Sequence, residues 1–261
     1  LEWFPVGSLQ LNHDNREAER WQALTQRQLD SEFIQLLTAE EASDVAGVRL
    51  PFGGSFFPQG GYLNPASLCK RLLQHPNIQL HLHHEAIQLK RRCNGWETQT
   101  DHACIPSAVV VIANGHEARR FLDSAQLPLQ AVWGQTTLSQ STCTSQTLKV
   151  ALGHEGYITP SLRGQHVFGA TFERDLNHSL LSSHADDDNW AQLAQHLPML
   201  AAALKPYRSG HGAMRMTTPD RFPYIGAVPD GEFYQRSYVD LHHGRHWQTY
   251  PDAHYQQGLY M

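Results

Sequence analysis

Val109-Val-Val-Ile-Ala-Asn-Gly115 decides how the chain is read. The unbroken β-branched run predicts a strand buried on both faces, and Asn114-Gly115 then turns the chain into a short helix expected around residues 117–122. Strand, glycine turn and helix in that order are an α/β signature. Outward from it, Asn64-Pro65 sets an N-cap before a proline at the first helical position. Leu68, Cys69, Leu72 and Leu73 then make an apolar stripe, so a helix is predicted up to His75. Residues 78–89 alternate with period two in their first half, and the turn Cys93-Asn94-Gly95 leads into Trp96-Glu-Thr-Gln-Thr100, which predicts a hairpin.

Farther upstream, residues 3–11 alternate around Gly7 as a half-buried strand. Asp14-Asn-Arg-Glu17 opens a helix to about residue 29, and Thr38-Ala-Glu-Glu41 opens a short one ending near Gly47. The glycine- and aromatic-rich run from Pro51 to Gly61 fits neither period and reads as a loop or a close-approach site. Downstream, residues 131–138, 149–152 with 157–158, and 166–172 are strand-like and predict an antiparallel sheet. A helix is expected to begin near Asp186-Asp-Asp188, with Trp190, Leu193, Ala194 and Leu197 on one face and an end or kink at Pro198. The polar stretch up to Gln257 has no assignable pattern, whereas Gly258-Leu-Tyr-Met261 reads as the beginning of a strand. That ending, and an opening on Leu1, give the expectation of a piece of a longer protein.

Composition narrows the function classes. The chain has 261 residues, 41% hydrophobic and 17% charged, with 19 Gly and 14 Pro, which excludes collagen, coiled coil and wholesale disorder. Lys and Arg number 20 against 25 Asp and Glu, a net charge of −5, so a nucleic acid or anionic membrane would need a local basic patch. The 17 His move the net charge toward zero as the pH falls through about 6.5, where solubility is expected to be worst. Cys69, Cys93, Cys104 and Cys143 show no CxxC or zinc spacing and read as free thiols of a reducing cytoplasm. No run approaches the roughly 20 apolar residues of a membrane span, and Leu-Glu-Trp-Phe-Pro lacks signal-peptide regions, so a soluble cytoplasmic protein is expected.

Chemistry-bearing patterns are sparse. The sequence holds no Gly-x-Gly-x-x-Gly, no P-loop and no Gly-x-Ser-x-Gly. Gln59-Gly60-Gly61 and Ala113-Asn114-Gly115 each lie between a strand-like run and a helix, where glycine permits either an ordinary turn or close backbone approach to a ligand. Arg215 between Met214 and Met216 needs a partner once buried. Its planar fork suits a substrate carboxylate, but on the residues alone an ion pair with Asp220 is the better reading. His81, His83 and His84, like His242, His243 and His246, lack the Cys or carboxylate that would complete a tetrahedral set, so no metal is expected. Lys90-Arg-Arg92 and Arg119-Arg120 are short basic clusters able to touch phosphates.

Four segments in order carry a resemblance: Gly60-Gly-Tyr-Leu-Asn-Pro-Ala-Ser-Leu68, Val109 to Gly115, Gly156-Tyr-Ile-Thr-Pro160, and Arg215-Met-Thr-Thr-Pro-Asp-Arg-Phe-Pro-Tyr-Ile-Gly226. Together the segments resemble the D-amino-acid-oxidase type of FAD-dependent amine oxidoreductases. The wording Ala113-Asn-Gly-His116 is most similar to the FAD domains of the bifunctional tRNA wobble-uridine-modifying branch. The resemblance implies a mixed α/β, two-domain fold in which an FAD-binding half interleaves with an antiparallel-sheet substrate half. On this chain the substrate half would be 1–57 and 129–212, and the FAD-binding half 58–128 and 213–261. It further implies FAD as cofactor, tRNA as partner, an upstream methyltransferase domain in the parent protein, and no membrane.

The implied reaction is oxidative removal of the carboxymethyl group from 5-carboxymethylaminomethyl(-2-thio)uridine, giving the 5-aminomethyl nucleoside. By the same resemblance Arg215 grips the substrate carboxylate, which reverses the ion-pair preference, and Tyr157 is an aromatic neighbour of the substrate. Gly60, Gly61, Ala86, Asn114 and Gly115 line the FAD, Ala86 through backbone only. The phosphate-binding glycines that the family places ahead of these segments are absent from the sequence, as is the glycine-rich segment placed after them. Without the first, pyrophosphate loses its helix N-terminus, so this polypeptide alone is expected to be apo and inactive. Two alternatives stand beside this reading, a small-molecule amine oxidase of the glycine or sarcosine type and a non-catalytic remnant or binding module.

Overall fold

A computed structural model describes residues 1–122, 127–174, 180–204, 208–243 and 250–261. Along the chain come β1 (Trp3–Phe4), β2 (Ser8–Leu11), α1 (Asn15–Thr25), β3 (Gln35–Leu37), α2 (Ala39–Ala46), β4 (Gly54–Phe57), β5 (Tyr62–Leu63) and α3 (Pro65–Leu73). A hairpin region follows with β6 (Ala86–Arg92), β7 (Gly95–Thr100), β8 (Cys104–Ser107) and β9 (Val110–Val111), then a 3-10 helix, Gly115–Arg120. Next are β10 (Gln130–Gln140), β11 (Ala151–Gly153), β12 (Tyr157–Ile158), β13 (Gln165–Gly169), α4 (Ser183–His196) and α5 (Pro198–Ala203). The described chain finishes with β14 (Arg208–Thr217), β15 (Ala227–Pro229), α6 (Gly231–Ser237) and β16 (Tyr255–Tyr260).

Two compact units result, one of residues 1–79 with 133–213, the other of 80–132 with 214–261. Residues 58–79 pack within the first unit. Local pairing explains this: Trp3 and Phe4 pair with Leu63 and Tyr62, and the Asn64 amide donates to the Glu2 carboxylate at 2.7 Å.

The first unit is built on an eight-stranded sheet in the order β14-β10-β13-β12-β11-β2-β4-β3. The strands from residues 130–169 pair antiparallel with one another as expected, and the whole sheet is mixed because β11 also runs parallel to β2. The run from Pro51 to Gly61, expected to be a loop or a close-approach site, contains β4, an interior strand between β2 and β3. Its tertiary partners override a local pattern that shows no period. Leu9, Leu11, Leu152, Ile158 and Phe168 form the core with Leu193 and Leu197, all 2% exposed or less. Burying each such side chain contributes about 1.5–3 kcal/mol.

Helix starts follow the capping chemistry of the sequence. Asp14, Asn64, Ser182 and Asp230 each accept from a backbone N–H of the first turn. Thr38 and Glu41 close a reciprocal capping box at α2. Helix α1 stops at Thr25, earlier than residue 29, and none of its residues is buried. Pro198 ends α4 and opens α5, where its missing N–H costs nothing.

The second unit holds a sheet of order β15-β16-β9 and an antiparallel β6-β7-β8 sheet. Its core is Trp96, Ile112, Ala118, Leu122, Val228 and Leu259. The run 109–113 is not a doubly buried strand. Only Val110–Val111 is extended, at a sheet edge beside β16, with Val109 52% and Val111 64% exposed. The helix expected at 117–122 is the 3-10 turn. Residues 78–85 are not strand, so His81 and His83 share no strand face. His246 lies outside the described residues.

Candidate functional site

In the second unit, β9 and β16 run parallel and their carboxyl ends meet the turn at Asn114-Gly115 and the end of the chain at Met261. Met261 exchanges backbone hydrogen bonds of 2.9 and 3.0 Å with Gly226. Gly115 has φ +59° and Gly226 φ +158°, and a Cβ built on either meets no heavy atom within 4 Å. A left-handed backbone that nothing in its own chain crowds is a place for another molecule to approach. Carboxyl ends of parallel strands are also where open α/β sheets take their ligands. Asn114, exposed, caps nothing with its side chain. Ala86, half-buried, begins β6 opposite Thr100 in the same unit. Gly115 and Gly226 thus each leave their backbone bare of neighbouring side chains, as Gly164 does in the first unit. Gly226 closes the segment that starts at Arg215, and its openness was not visible in the residue order.

Gly60 and Gly61 lie in the first unit and have a different reason to be glycine. A Cβ on Gly61 would overlap the Phe4 carbonyl oxygen, and one on Gly60 would lie 3.0 Å from the Phe57 oxygen and the Ser8 Cβ. Their own chain occupies the space a side chain would need.

Tyr157 belongs to β12 next to fully buried Ile158, so strand alternation turns it to the sheet face opposite the α4 core, where it is 38% exposed. Gln10 shares that alternation with Leu9 and Leu11, and its side chain lies where a Cβ of Gly153 would be. A cavity of about 950 Å³ opens on the other side, at the N-terminal end of α4, lined among others by Phe172, Glu173, Leu181, His184, Asp188 and Asn189. Neither Arg215, Tyr157 nor any of the expected cofactor-binding residues lines it.

Arg215 is half-buried in the last part of β14, within the second unit. The Asp220 carboxylate, its expected alternative partner, accepts from the Phe222 N–H at 3.1 Å. Among the described residues no group of three or more His, Cys, Asp or Glu is arranged to hold a metal ion. No helix of the described residues is long and apolar enough to cross a membrane. The four cysteines are free and exposed.

Comparison with known proteins agrees with this fold. Residues 1–250 match the model of the FAD dependent oxidoreductase family. A tRNA 5-methylaminomethyl-2-thiouridine biosynthesis bifunctional protein of Pseudomonas putida is 35% identical over 97% of this chain, and one of Chromobacterium violaceum is 33% identical over all of it. The chain spans 39% and 40% of those relatives' lengths. Among solved structures, glycine oxidase from Bacillus cereus superimposes with a TM-score of 0.75 at 19% identity, covering 100% of this chain and 68% of that one. The chain belongs to the FAD-dependent oxidoreductase family.

Proposed function

We propose that this chain is the amine-oxidising part of an enzyme that acts on the tRNA wobble position. It removes the carboxymethyl group of 5-carboxymethylaminomethyl(-2-thio)uridine and leaves the 5-aminomethyl nucleoside and glyoxylate. One observation carries this choice over a small-molecule oxidase. Identity is 33 to 35% across nearly the whole chain to proteins named for that modification, against 19 to 20% to glycine oxidases of the same fold.

FAD, when bound, accepts the hydride from the carbon between amine and carboxylate. Every other task belongs to the chain. Asn114, Gly115 and Gly226 offer backbone to the cofactor, with Ala86, Gly60 and Gly61 as further backbone contacts. The Arg215 guanidinium takes both oxygens of the substrate carboxylate in parallel N–H···O bonds, which fixes the direction of the amine tail. Tyr157 packs beside the substrate. No side-chain nucleophile is needed, because the oxidised amine is an imine that water cleaves. A methyltransferase domain upstream in the same protein then methylates the exposed amine, and the tRNA substrate sets the reaction in the cytoplasm.

The test uses protein expressed from its complete coding region, purified with FAD and offered tRNA carrying the carboxymethylated nucleoside. Mass spectrometry of the digested tRNA should show the 5-aminomethyl product, with glyoxylate released in equal amount. Turnover of glycine or sarcosine with the tRNA untouched would instead establish the small-molecule oxidase. Neither flavin retention nor turnover would leave a binding module.

A further inference from the structure

Three histidines far apart in sequence meet in the first unit. His13 follows β2, His154 follows β11, and His196 is the last residue of α4. The His196 ring is the centre of the group, 4.8 Å from the His13 ring and 5.4 Å from the His154 ring. All three are sequestered: His154 is 7% and His196 6% exposed, and the His13 side chain 8%.

Their hydrogen bonds differ in a way that matters. The Gly156 N–H donates to His154 Nδ1 at 3.0 Å, so the neutral ring carries its proton on Nε2. That Nε2 is buried and has no partner. His196 Nε2 instead faces the Glu155 carboxylate at 3.2 Å, and His13 Nε2 lies 3.7 Å from the Asp14 carboxylate while its Nδ1 donates to the Leu11 carbonyl. Glu155 and Asp14 are more than half exposed. Two rings therefore have a carboxylate ready for a positive charge. His154 has none, and a second proton on its ring would displace the Gly156 N–H and face the other two imidazoles. The same hydrogen bond rules out a metal on the neutral ring, since Nδ1 is occupied and Nε2 is protonated.

We propose that His13, His154 and His196 form an acid-released latch: the packed rings pin the turn between β11 and β12 to the C-terminal end of α4, and protonation of His154 frees that turn. A Cβ on Gly156 would lie 2.5 Å from the Gln192 Oε1 of α4 and from the Gly169 carbonyl oxygen, so the closed turn leaves no room for a side chain there. Tyr157 is the next residue, so release unfastens the start of β12. Its consequence for substrate binding rests on the role proposed above for Tyr157, but the latch does not. Burial, followed by the His196 and His13 rings, holds the His154 imidazolium back until about pH 4 against an ordinary value of 6.5, with Glu155 opposing weakly. Protons thus favour the open turn by two to three powers of ten across that interval.

Hydrogen exchange on the full chain tests this without substrate or cofactor. After correction for intrinsic rates, amides of residues 153–158 should lose protection between pH 6.5 and 4, while those of β10 should not. His154→Asn retains an acceptor for the Gly156 N–H and cannot charge, so it should flatten that dependence. Parallel pH curves for 153–158 and β10, or an unchanged curve in His154→Asn, would overturn the latch. Should that variant fail to fold, ring NMR of the unaltered protein decides. His154 still neutral at pH 5 supports the latch, and titration near 6.5 ends it.

Discussion

A glycine crowded by its own chain and one that faces open space predict different phenotypes, whatever cofactor contact is proposed for either. Gly61→Ala forces a methyl group onto the Phe4 carbonyl, so it should destabilise the first unit by several kcal/mol, on the order of other overpacked sites. Gly115→Ala meets nothing within 4 Å and suffers only its left-handed backbone, about 1–2 kcal/mol. Its main expected effect is weaker flavin retention, read as the ratio of flavin to protein absorbance after gel filtration. Melting temperatures that fall equally in both variants would argue against this distinction. Arg215→Met is a third case. If the guanidinium holds the substrate carboxylate, kcat/KM should fall roughly 100-fold or more, the 2–5 kcal/mol typical of a lost buried charge partner. Flavin content should stay unchanged, and an amine lacking the carboxylate should be turned over equally by both proteins.

Among elements, α2 shows local and tertiary signals agreeing. Its capping box satisfies two orphan donors while Ala42 and Ala46, both 0% exposed, seat the helix on the core. Thr38→Ala should cost about 1 kcal/mol in a denaturant titration, and Thr38→Ser should recover most of it. In α3 the signals diverge. Its Asn64 cap and Pro65 form as the residues demand, yet Leu72 is 65% and Leu73 42% exposed, so the apolar stripe that marks the helix does not reach the core of this chain. β4 diverges the other way, since Gly54-Ser-Phe-Phe57 has no period but is hydrogen-bonded on both sides.

For the whole molecule, acid should act mainly through buried histidines. His154 and His166 both titrate below the ordinary value, each chiefly because burial disfavours the charged ring. The unfolded chain then binds more protons than the folded one, so stability is full above about pH 6.5 and falls as the pH drops toward 4, by up to about 3 kcal/mol from His154. Urea midpoints measured at pH 7 and 5 should differ accordingly, and a flat profile would contradict the burial of these rings. Nucleic-acid contact, in turn, has less basic surface than the residue count implies. Arg92 is paired with Glu97 at 2.6 Å, Arg120 with Glu85 at 2.8 Å, and Arg91 stacks on Trp96 and donates to the Gln257 carbonyl. Arg119 remains exposed. If tRNA is the substrate as proposed, Arg119→Glu should therefore weaken its binding and lower the salt slope by about one, whereas Arg92→Glu should mostly disturb β6 and β7.

What the residues by themselves determined are features decided within a turn or two of chain: the caps at Asp14, Thr38 and Asn64, the stop at Pro198, the hairpin through Asn94-Gly95, and the ordered segments that mark the family. Only tertiary structure decided that β9 is an exposed edge, that β4 is interior, that Gly115 faces open space while Gly61 does not, and that residues 13, 154 and 196 share one buried cluster. The physical reason is range. A cap or turn is satisfied by atoms a few residues away, whereas burial, cavities and proton affinities are set by whatever distant strands and helices bring alongside.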